Sequence, residues 1–318
     1  MIKVSVIIPI FNSEKYIERC AKSLFEQTLN DIEYIFIDDG STDNSIKILK
    51  NTINKYPNRI KDTQIIQLKT NHGIGYIRKI GASISKGEYI IYCDSDDWLE
   101  LNAYQILYEQ AIDKNDDIVF YNWKTTDGTK ILQEIHRNVY DDKIRFIKEI
   151  LNGNEMGSVC FALCKRYLYE NDIIYPEHSM IEDSVLMIQL IYYAKSYRLI
   201  NKSLYFYFIN PNSASRKKGE KECIKRYNEI IENIKKILLF IDNIGYTNTL
   251  FNEIIILKYW ARLQLGPITH IKQYYNLWKN TYPEIDHGFL FNRYIPLRFK
   301  LNYLLVKTHF YKYIKKII

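Results

Sequence analysis

Apolar and polar positions follow two alternating periods over the first 120 residues. Short apolar runs of strand length end at Ile8, Ile37, Leu68 and Cys93. Each run is followed by a polar loop and then by a stretch whose apolar residues recur at helical spacing. Strands that alternate with helices predict a parallel sheet with helices on both faces, joined by right-handed crossovers.

The pattern changes after this region. Residues 122–180 mix polar turns with short aromatic runs, and Val185 to Ala194 then reads as a strongly apolar helix. From residue 216 onwards, isoleucine, leucine and tyrosine recur at helical spacing between lysines. We therefore expect an α/β domain over residues 1–215, followed by a basic, mainly helical region over residues 216–318.

The composition is that of a chain able to bury a large core, with 318 residues, 47% of them hydrophobic and 25% charged. No signal peptide is visible at the N-terminus, and no apolar run reaches the roughly 20 residues that span a bilayer. The five cysteines are scattered along the chain. This favours buried thiols in a reducing cytoplasm over disulfides or a zinc site.

The formal net charge of +7 is unevenly distributed. Residues 1–215 hold 25 Lys and Arg against 29 Asp and Glu, whereas residues 216–318 hold 19 against 8, a net charge of +11. Such a basic block suits nucleic acid or an anionic membrane surface, and a solvated helical face is the alternative. Aromatic residues between the lysines suit a membrane interface, while helices packed on the core remain open.

The fourth apolar run ends in carboxylates. Asp94 and Asp96 are two residues apart, so in extended geometry both side chains project the same way. Two like charges this close repel each other unless a cation lies between them. Hard oxygen ligands suit Mg²⁺ or Mn²⁺ that bridges to the phosphates of a substrate. The alternative is an acidic turn or a helix N-cap before Leu99.

Other polar residues follow the same strand ends. In parallel sheets, ligands bind at the carboxyl ends of the strands. Phe11, Asp39 and Asn71 follow the first three strands, and the loop of residues 93–97, called here the acidic loop, follows the fourth. We therefore expect these four loops to converge on one site. Glu182 and Asp183 open the later apolar helix, where an N-cap with a dipole-stabilising Glu is the alternative to a functional pair.

Two nucleotide-binding classes are excluded by the glycine pattern. A dinucleotide-binding oxidoreductase needs Gly-x-Gly-x-x-Gly after the first strand, but residues 9–14 contain no glycine. The Gly-x-Gly of Gly73 and Gly75 follows the third strand and has Arg78 where the last glycine should lie. No Gly-x-x-x-x-Gly-Lys loop is present, so a P-loop nucleotidase is not expected.

Five motifs follow one another along the chain: Val4-Ser5-Val6-Ile7-Ile8-Pro9-Ile10-Phe11-Asn12, Ile37-Asp38-Asp39-Gly40-Ser41-Thr42-Asp43, Asn71-x-Gly73 with Arg78 and Gly81, Lys86-Gly87-Glu88-Tyr89-Ile90 leading into Asp94-Ser95-Asp96-Asp97, and Glu182-Asp183. Together they resemble the motifs of the family 2 glycosyltransferases, inverting enzymes of the nucleotide-diphospho-sugar transferase (GT-A) fold. The resemblance covers residues 1–215. It implies a Rossmann-like, mostly parallel sheet with helices on both faces. Family members usually carry Ala-Arg-Asn in the third loop, where this chain has Ile77-Arg78-Lys79.

The resemblance also implies roles for single residues. Asp39 would contact the base of a uridine nucleotide, since a carboxylate accepts from uracil N3–H, and Asp183 would be the general base. Asp96 would hold Mn²⁺ or Mg²⁺ on the diphosphate, with Asp94 near the ribose or the metal. The remaining implied donor-site residues are Pro9, Phe11, Glu14, Asn71, Arg78 and Ser95. Trp98 and Glu182 are weaker candidates for the sugar or acceptor platform, and core packing is the alternative for Trp98.

The expected function is therefore the transfer of a hexose or N-acetylhexosamine from a UDP-sugar to a saccharide or lipid-linked saccharide, with a β-linkage formed on a bacterial surface glycan. A sugar nucleotidyltransferase of the same fold is one alternative, although residues 10–14 are not its usual glycine-rich, basic loop. A non-catalytic UDP- or sugar-binding domain is another. Nucleic acid is not an expected partner. The expected location is cytoplasmic, with peripheral attachment to the inner face of the cell membrane left open.

Overall fold

A computed structural model describes residues 1–211, 213, 216 and 218–311 of the chain. The chain forms two compact units. The first, called here the sheet unit, comprises Met1–Ile147 and Glu155–Asn210. The second, called the helical unit, comprises Lys148–Asn154 and the residues from Pro211 onwards.

The sheet unit contains nine strands in one sheet. Their order across the sheet is β3-β2-β1-β4-β8-β6-β9-β5, and β7 pairs with β6 outside this path. The strands are β1 (Val4–Ile10), β2 (Ile32–Asp38), β3 (Thr63–Gln67), β4 (Tyr89–Tyr92), β5 (Trp98–Leu99), β6 (Ile118–Thr126), β7 (Ile131–Ile135), β8 (Ala162–Lys165) and β9 (Tyr197–Phe208).

The first four strands are parallel, as the alternating pattern predicts. β1 pairs in parallel with both β2 and β4, and β2 pairs in parallel with β3. The second half of the sheet is mixed, because β8 pairs antiparallel with β4 and β6 while β6 and β9 are parallel. Residues 122–180 contribute β7 and β8 to this half, which the sequence pattern did not resolve.

Most helices of residues 1–215 form where the apolar periodicity predicts them, but the helix Lys143–Leu151 lies within residues 122–180, where no helix was predicted. α1 (Ile17–Phe25), α2 (Ser45–Ile53) and α3 (Ile74–Ile84) follow β1, β2 and β3 in turn, and α1 buries Ile17, Cys20, Ala21, Leu24 and Phe25. α4 (Ala103–Lys114) precedes β6, α5 (Lys143–Leu151) follows β7, and α6 (Glu182–Tyr193) precedes β9. These short crossovers bring the loops after β1, β2, β3 and β4 to one edge of the sheet.

The acidic loop crosses the sheet from β4 to β5. Four strand spacings separate the two strands in the sheet, a span of about 19 Å if the sheet were flat. The loop is shortened by a turn in which the amide of Asp97 donates to the carbonyl of Asp94 at 3.0 Å. Because so short a loop cannot reach across a flat sheet, the sheet must curl towards it.

Among the described residues after Pro211, the helical unit contains α7 (Glu220–Asn243), α8 (Phe251–Leu265), α9 (Lys272–Asn280) and α10 (Leu297–Lys307), which agree with the helical spacing of its apolar residues. Its centre contains the buried guanidinium of Arg262. This group donates to the carbonyl of Thr281 at 2.7 Å, pairs with Asp286 at 2.5 Å, and lies over the ring of Trp278. The last basic residues of the chain, Lys312, Lys315 and Lys316, lie outside the described residues.

The expectation that the thiols are buried is confirmed, since all five cysteines are buried. Within the part of the chain that the structure describes, no helix combines the length and apolarity needed to cross a bilayer.

The Gly-x-Gly of the third loop has a packing role. A Cβ built on Gly75 would lie 2.0 Å from the carbonyl oxygen of Pro176, a distance at which the backbone has to move. We expect Gly75→Ala to lower the free energy of unfolding by about 1–3 kcal/mol, the usual cost of overpacking. Ser83→Ala on the exposed side of the same helix is the control and should be near neutral. Denaturant unfolding measures both, and equal values would contradict the packing role.

Candidate active site

The loops after β1 and β2 are joined by hydrogen bonds between their polar side chains and backbone. The Asn12 side-chain oxygen accepts from the amide of Thr42 at 2.9 Å, and the amide of Asn12 donates to the Ser41 hydroxyl at 2.9 Å. Glu14 Oε2 accepts from the amide of Asn44 at 3.1 Å. Asn12 and Glu14 therefore connect the two loops rather than project freely.

Ser13 connects the first loop to the acidic loop. Its hydroxyl lies 2.7 Å from the hydroxyl of Ser95, and its amide donates to the Ser45 hydroxyl at 2.7 Å. Asn12 and Ser13 are residue types that often cap helices, but the N-cap residue of α1 is Tyr16 and no side chain caps this helix. The side chains of Asn12 and Ser13 instead form hydrogen bonds to other loops.

Asp39 connects the second and third loops. Its two carboxylate oxygens accept from the amides of His72 at 2.7 Å and Gly73 at 2.8 Å, and the Asn71 amide group donates to the Asp39 carbonyl at 3.4 Å. The carboxylate is buried. Each oxygen keeps a further lone-pair position, because a carboxylate offers about four in all.

The predicted convergence of the four loops is thus present as hydrogen bonds between them. Pro9 is half-buried at the end of β1, whereas the ring of Phe11 is 49% exposed. The sequence-predicted residues Phe11, Glu14, Asp39, Asn71 and Ser95 lie on these connected loops. An exposed aromatic ring beside them offers a flat apolar surface at the rim.

The acidic loop is held by β9. Asp97 Oδ2 accepts from the hydroxyl of Tyr205 at 2.7 Å, and its Oδ1 accepts from the amide of Phe208 at 2.7 Å. The same Tyr205 hydroxyl accepts from the amide of Asp94 at 3.1 Å. Burial raises the pKa of Asp97 well above its ordinary value, and the charges of Asp96 and Asp94 add to the rise. Asp97 is therefore an anchor of the loop.

Asp96, one of the two predicted metal ligands, is hydrogen-bonded through both its side chain and its backbone. Its Oδ2 accepts from the Asn210 amide group at 3.1 Å, and its backbone carbonyl accepts from Arg19 at 2.9 Å. Asp94 differs, because its Oδ1 is buried and has no hydrogen-bond partner among the described residues. Burial raises the pKa of Asp94, Arg78 opposes the rise, and the charge of Asp96 adds to it.

A buried arginine gathers the remaining predicted residues. The Arg78 guanidinium on α3 is 0% exposed and pairs with Asp183 at 2.7 Å and with Glu182 at 3.3 Å. Its charge also acts on Asp94. Its Nε and Nη1 have no hydrogen-bond partner among the described residues. The structure therefore brings Arg78, Asp94, Glu182 and Asp183 into one charge cluster.

Burial raises the pKa of each carboxyl group in this cluster. Burial raises the pKa of Glu182 to about 8, the charge of Asp183 adds to the rise, and Arg78 opposes it. Burial also raises the pKa of Asp183, while Arg78 and a hydrogen bond from the Ser158 side chain lower it. An aspartate with a raised pKa is a stronger proton acceptor than an ordinary one.

Neither acid at the start of α6 is the N-cap of the helix. That position is Ile181, which has a left-handed backbone with φ of 58° and makes no side-chain cap. A β-branched residue in this region is a conformational outlier, and such strain is found where the surrounding structure fixes a site. Asp183 is therefore not the N-cap of α6, contrary to the capping alternative.

Trp98 lies in a stack. Its ring packs on Phe206 with centroids 5.3 Å apart and an interplanar angle of 9°, and the Arg19 guanidinium carbon lies 3.6 Å from its centroid. It also lines an open groove of about 500 Å³ beside Ser23 and Leu101. These contacts agree with the packing alternative for Trp98, and its role at the sugar or acceptor remains a prediction.

Asp94 and Asp96 fit a divalent cation whose other ligands come from substrate and water. Among the residues that the structure describes, no group of three or more His, Cys, Asp or Glu side chains is placed to hold a metal ion. Mg²⁺-type sites often use one or two carboxylates and complete the shell with substrate phosphates and water. Asp94, with its unsatisfied buried oxygen, and Asp96 supply that number of carboxylates.

Sequence reasoning missed the residues that hold this site from a distance. Tyr205 and Asn210 reach the acidic loop from more than 100 positions away, and Ser158 reaches Asp183 from residues 122–180. No local period or spacing marks them. The five ordered motifs identified the acidic residues of the site. The positions of their partners depend on strand pairing in the mixed half of the sheet.

Comparison with solved structures supports the architecture. The crystal structure of Staphylococcus aureus TarS 1–349 in complex with UDP-GlcNAc superposes with a TM-score of 0.59 at 18% identity and covers 91% of each chain. The mannosyltransferase PcManGT from Pyrobaculum calidifontis, in complex with GDP-Man and Mn²⁺, gives a TM-score of 0.53 at 12% identity and covers 99% of this chain and 87% of its own. The fold is that of the GT-A glycosyltransferases, which confirms the predicted fold class.

The sequence comparisons are more specific. The model of Glycosyl transferase family 2 matches residues 5–172, more than half of the chain. Glycosyltransferase GlyG of Streptococcus pneumoniae serotype 4 is 30% identical over 216 residues, which are 64% of this chain and 70% of GlyG. Several further relatives are matched over only 32% to 62% of their own length. The chain belongs to glycosyl transferase family 2, and the expectation of a glycosyltransferase enzyme is confirmed.

The raised pKa of Glu182 gives stability a pH dependence. Glu182 has an ordinary pKa of 4.5 and one of about 8 in the folded chain, so the folded chain binds this proton more tightly. The free energy of unfolding should therefore fall as the pH rises from about 4.5 to about 8. Glu182→Gln should flatten this slope.

Denaturant unfolding at pH 5, 6.5 and 8 measures the effect, and Glu134→Gln on an exposed strand is the matched control. A slope that Glu182→Gln leaves unchanged would contradict the assigned pKa.

Proposed function

We propose that this chain is a metal-dependent inverting glycosyltransferase that moves a hexose or N-acetylhexosamine from a UDP-sugar to a hydroxyl of a glycan or lipid-linked saccharide. The observation that carries the proposal is the single cluster of Arg78, Asp94, Glu182 and Asp183 beside the four joined loops. The joined loops would bind the nucleotide, and a carboxylate of the neighbouring cluster would accept the proton.

The named activities of relatives support the donor class and the linkage. TarS of Staphylococcus aureus is named a poly(ribitol-phosphate) beta-N-acetylglucosaminyltransferase and is 26% identical to this chain over a sequence match of 230 residues. Its residues 1–349 have a structure with UDP-GlcNAc. A Bacillus spizizenii relative is named a poly(ribitol-phosphate) beta-glucosyltransferase. Formation of a β-linkage from an α-linked UDP-sugar inverts the anomeric carbon.

The uridine is assigned to the first three loops. Phe11 offers its exposed ring, with Pro9 and Glu14 beside it, and the Asp39 carboxylate accepts uracil N3–H through a lone pair that the loop amides leave unused. Asn71 lies next to Asp39. Because Asp39 also fixes the third loop, it supports the pocket as well as the base.

The diphosphate is assigned to the acidic loop and Arg78. Asp96 and Asp94 would hold Mn²⁺ or Mg²⁺, and the bound ion would neutralise charge that develops on the departing diphosphate. PcManGT, a fold relative, was solved with Mn²⁺. The two unsatisfied nitrogens of Arg78 are further donors in this region, and Ser95 lies on the same loop.

The proton acceptor is assigned to Asp183. Its carboxylate takes the proton of the acceptor hydroxyl while that oxygen forms a bond to the anomeric carbon from the side opposite UDP. The bond between the anomeric carbon and the diphosphate oxygen breaks, and its electron pair leaves with UDP. Arg78 lowers the pKa of Asp183 against the effect of burial, which keeps the carboxylate available as the ionised base.

The two parts of the chain have different proposed roles. We assign catalysis to residues 1–215 and a separate role to the basic residues 216–318. The boundary between the two compact units at Asn210 and Pro211 lies five residues from the division proposed from sequence. Activity in the cytoplasm, where UDP-sugars are made, agrees with the five free thiols.

The transfer itself is tested by mass spectrometry of products from a panel of UDP-sugars with free and lipid-linked saccharide acceptors. A product one sugar heavier than the acceptor, together with free UDP, supports the proposal. Nucleotide–sugar bond formation from a nucleoside triphosphate would instead favour a nucleotidyltransferase.

Asp183→Asn separates a base from a structural acid. Asparagine cannot accept the acceptor's proton, so kcat should fall by roughly 10²- to 10⁴-fold. The Kd for UDP-sugar with Mn²⁺ should change little, because the nucleotide is assigned to other loops. Retained kcat in a folded variant would remove the assignment.

Asp96→Ala tests the metal ligand. Loss of this carboxylate should abolish transfer and most of the Mn²⁺-dependent part of UDP binding, whereas UDP binding without Mn²⁺ should change little. Titration calorimetry with and without Mn²⁺ measures both quantities. Asp127→Ala in an exposed turn is the control, and equal Mn²⁺ dependence in the two variants would contradict the role of Asp96.

A further inference from the structure

Helix α10 carries apolar residues on two opposite sides. Phe299, Tyr303 and Val306 form the buried side at helical spacing. The ring of Tyr303 packs against Phe289 and Trp278, with centroids 5.0 Å and 5.4 Å apart. This side fixes α10 on the helical unit.

The opposite side is formed by Leu297, Leu301 and Leu304, called here the leucine face. Their exposed fractions are 70%, 52% and 40%. At about 100° per residue, the three lie within about 60° of one another, and Val306 points about 180° from Leu297. A helix on the surface of a soluble protein normally places polar residues there. The exposed fractions show that the leucine face has no apolar partner among the described residues.

Positive charge borders the leucine face. Arg298 and Lys300 occupy helical positions on either side of it, about 100° and 60° from Leu297. From His287 to Tyr311 the chain contains Arg293, Arg298, Lys300 and Lys307 but no Asp or Glu. None of these four cations has an ion pair among the described residues.

Two aromatic residues extend the surface at the turn before α10. Phe291 is 92% exposed and Tyr294 is 57% exposed. Large aromatic rings and leucines bordered by Lys and Arg are typical of helices that lie in a membrane interface.

We propose that the leucine face of α10 docks on an anionic lipid bilayer, with the leucines between the headgroups and the flanking cations on lipid phosphates. A second copy of the chain is a poorer occupant. Symmetric pairing on this face would bring the cations of both copies together, and residues 287–311 hold no acid to neutralise them. This inference concerns the helical unit and does not depend on the assigned reaction.

The test is flotation of the full chain with vesicles of phosphatidylglycerol and phosphatidylcholine, or of phosphatidylcholine alone. The wild-type chain should bind the anionic vesicles much better, and binding should weaken as NaCl rises from 50 to 500 mM. Leu301→Gln combined with Leu304→Gln should reduce partition at least tenfold, since a fully inserted leucine contributes about that much.

Leu239→Gln is the matched control, because Leu239 is 51% exposed on α7 of the same unit. It should bind as the wild type does, and melting temperatures should show all variants folded. Arg298→Gln combined with Lys300→Gln should reduce binding to anionic vesicles and its salt dependence.

Three results would overturn the proposal. The wild-type chain could fail to bind either vesicle, or the leucine variants could bind as well as Leu239→Gln. In sedimentation without vesicles, the wild-type chain could be a dimer and the leucine variants monomers. That result would identify a second copy as the occupant.

Discussion

The site depends on one electrostatic constraint, which is that three carboxylates share the neighbourhood of a fully buried guanidinium. Asp94 comes from the end of β4, Glu182 and Asp183 come from the start of α6, and Arg78 lies on α3. Without a cation these buried acids would repel one another and take up protons. The pairing therefore couples the position of the proposed base to the parallel half of the sheet, although residues 78 and 182 are 104 positions apart.

Hydrogen bonds between loops provide the second layer of order. Asn12, Ser13 and Asp39 each use their side chains to join one loop to another, and Asp97 joins the acidic loop to β9. Loops fixed in this way can hold polar groups ready for a ligand at little further entropic cost. The same bonds occupy Asn12 and Ser13, which precede α1 without capping it.

The predictable part of this structure is the part governed by local periodicity. The runs that end at Ile8, Ile37, Leu68 and Cys93 became β1 to β4, and their loops met at one edge because parallel strands end together. The mixed half of the sheet could not be predicted from the sequence, because the pairing of β8 with β4 and β6 depends on contacts between residues distant in sequence. Arg78 shows the same limit within the site, because its motif marks the residue but not its partners Glu182 and Asp183.

The central claim is that the joined loops and the charge cluster form one site for a nucleotide-sugar and a divalent cation. Diffraction from crystals soaked with UDP and Mn²⁺, recorded where manganese scatters anomalously, tests this most directly. The account predicts uracil against Phe11 and Asp39 and an anomalous peak beside Asp96, with the diphosphate between them. Nucleotide bound elsewhere, or a manganese peak away from the acidic loop, would contradict it.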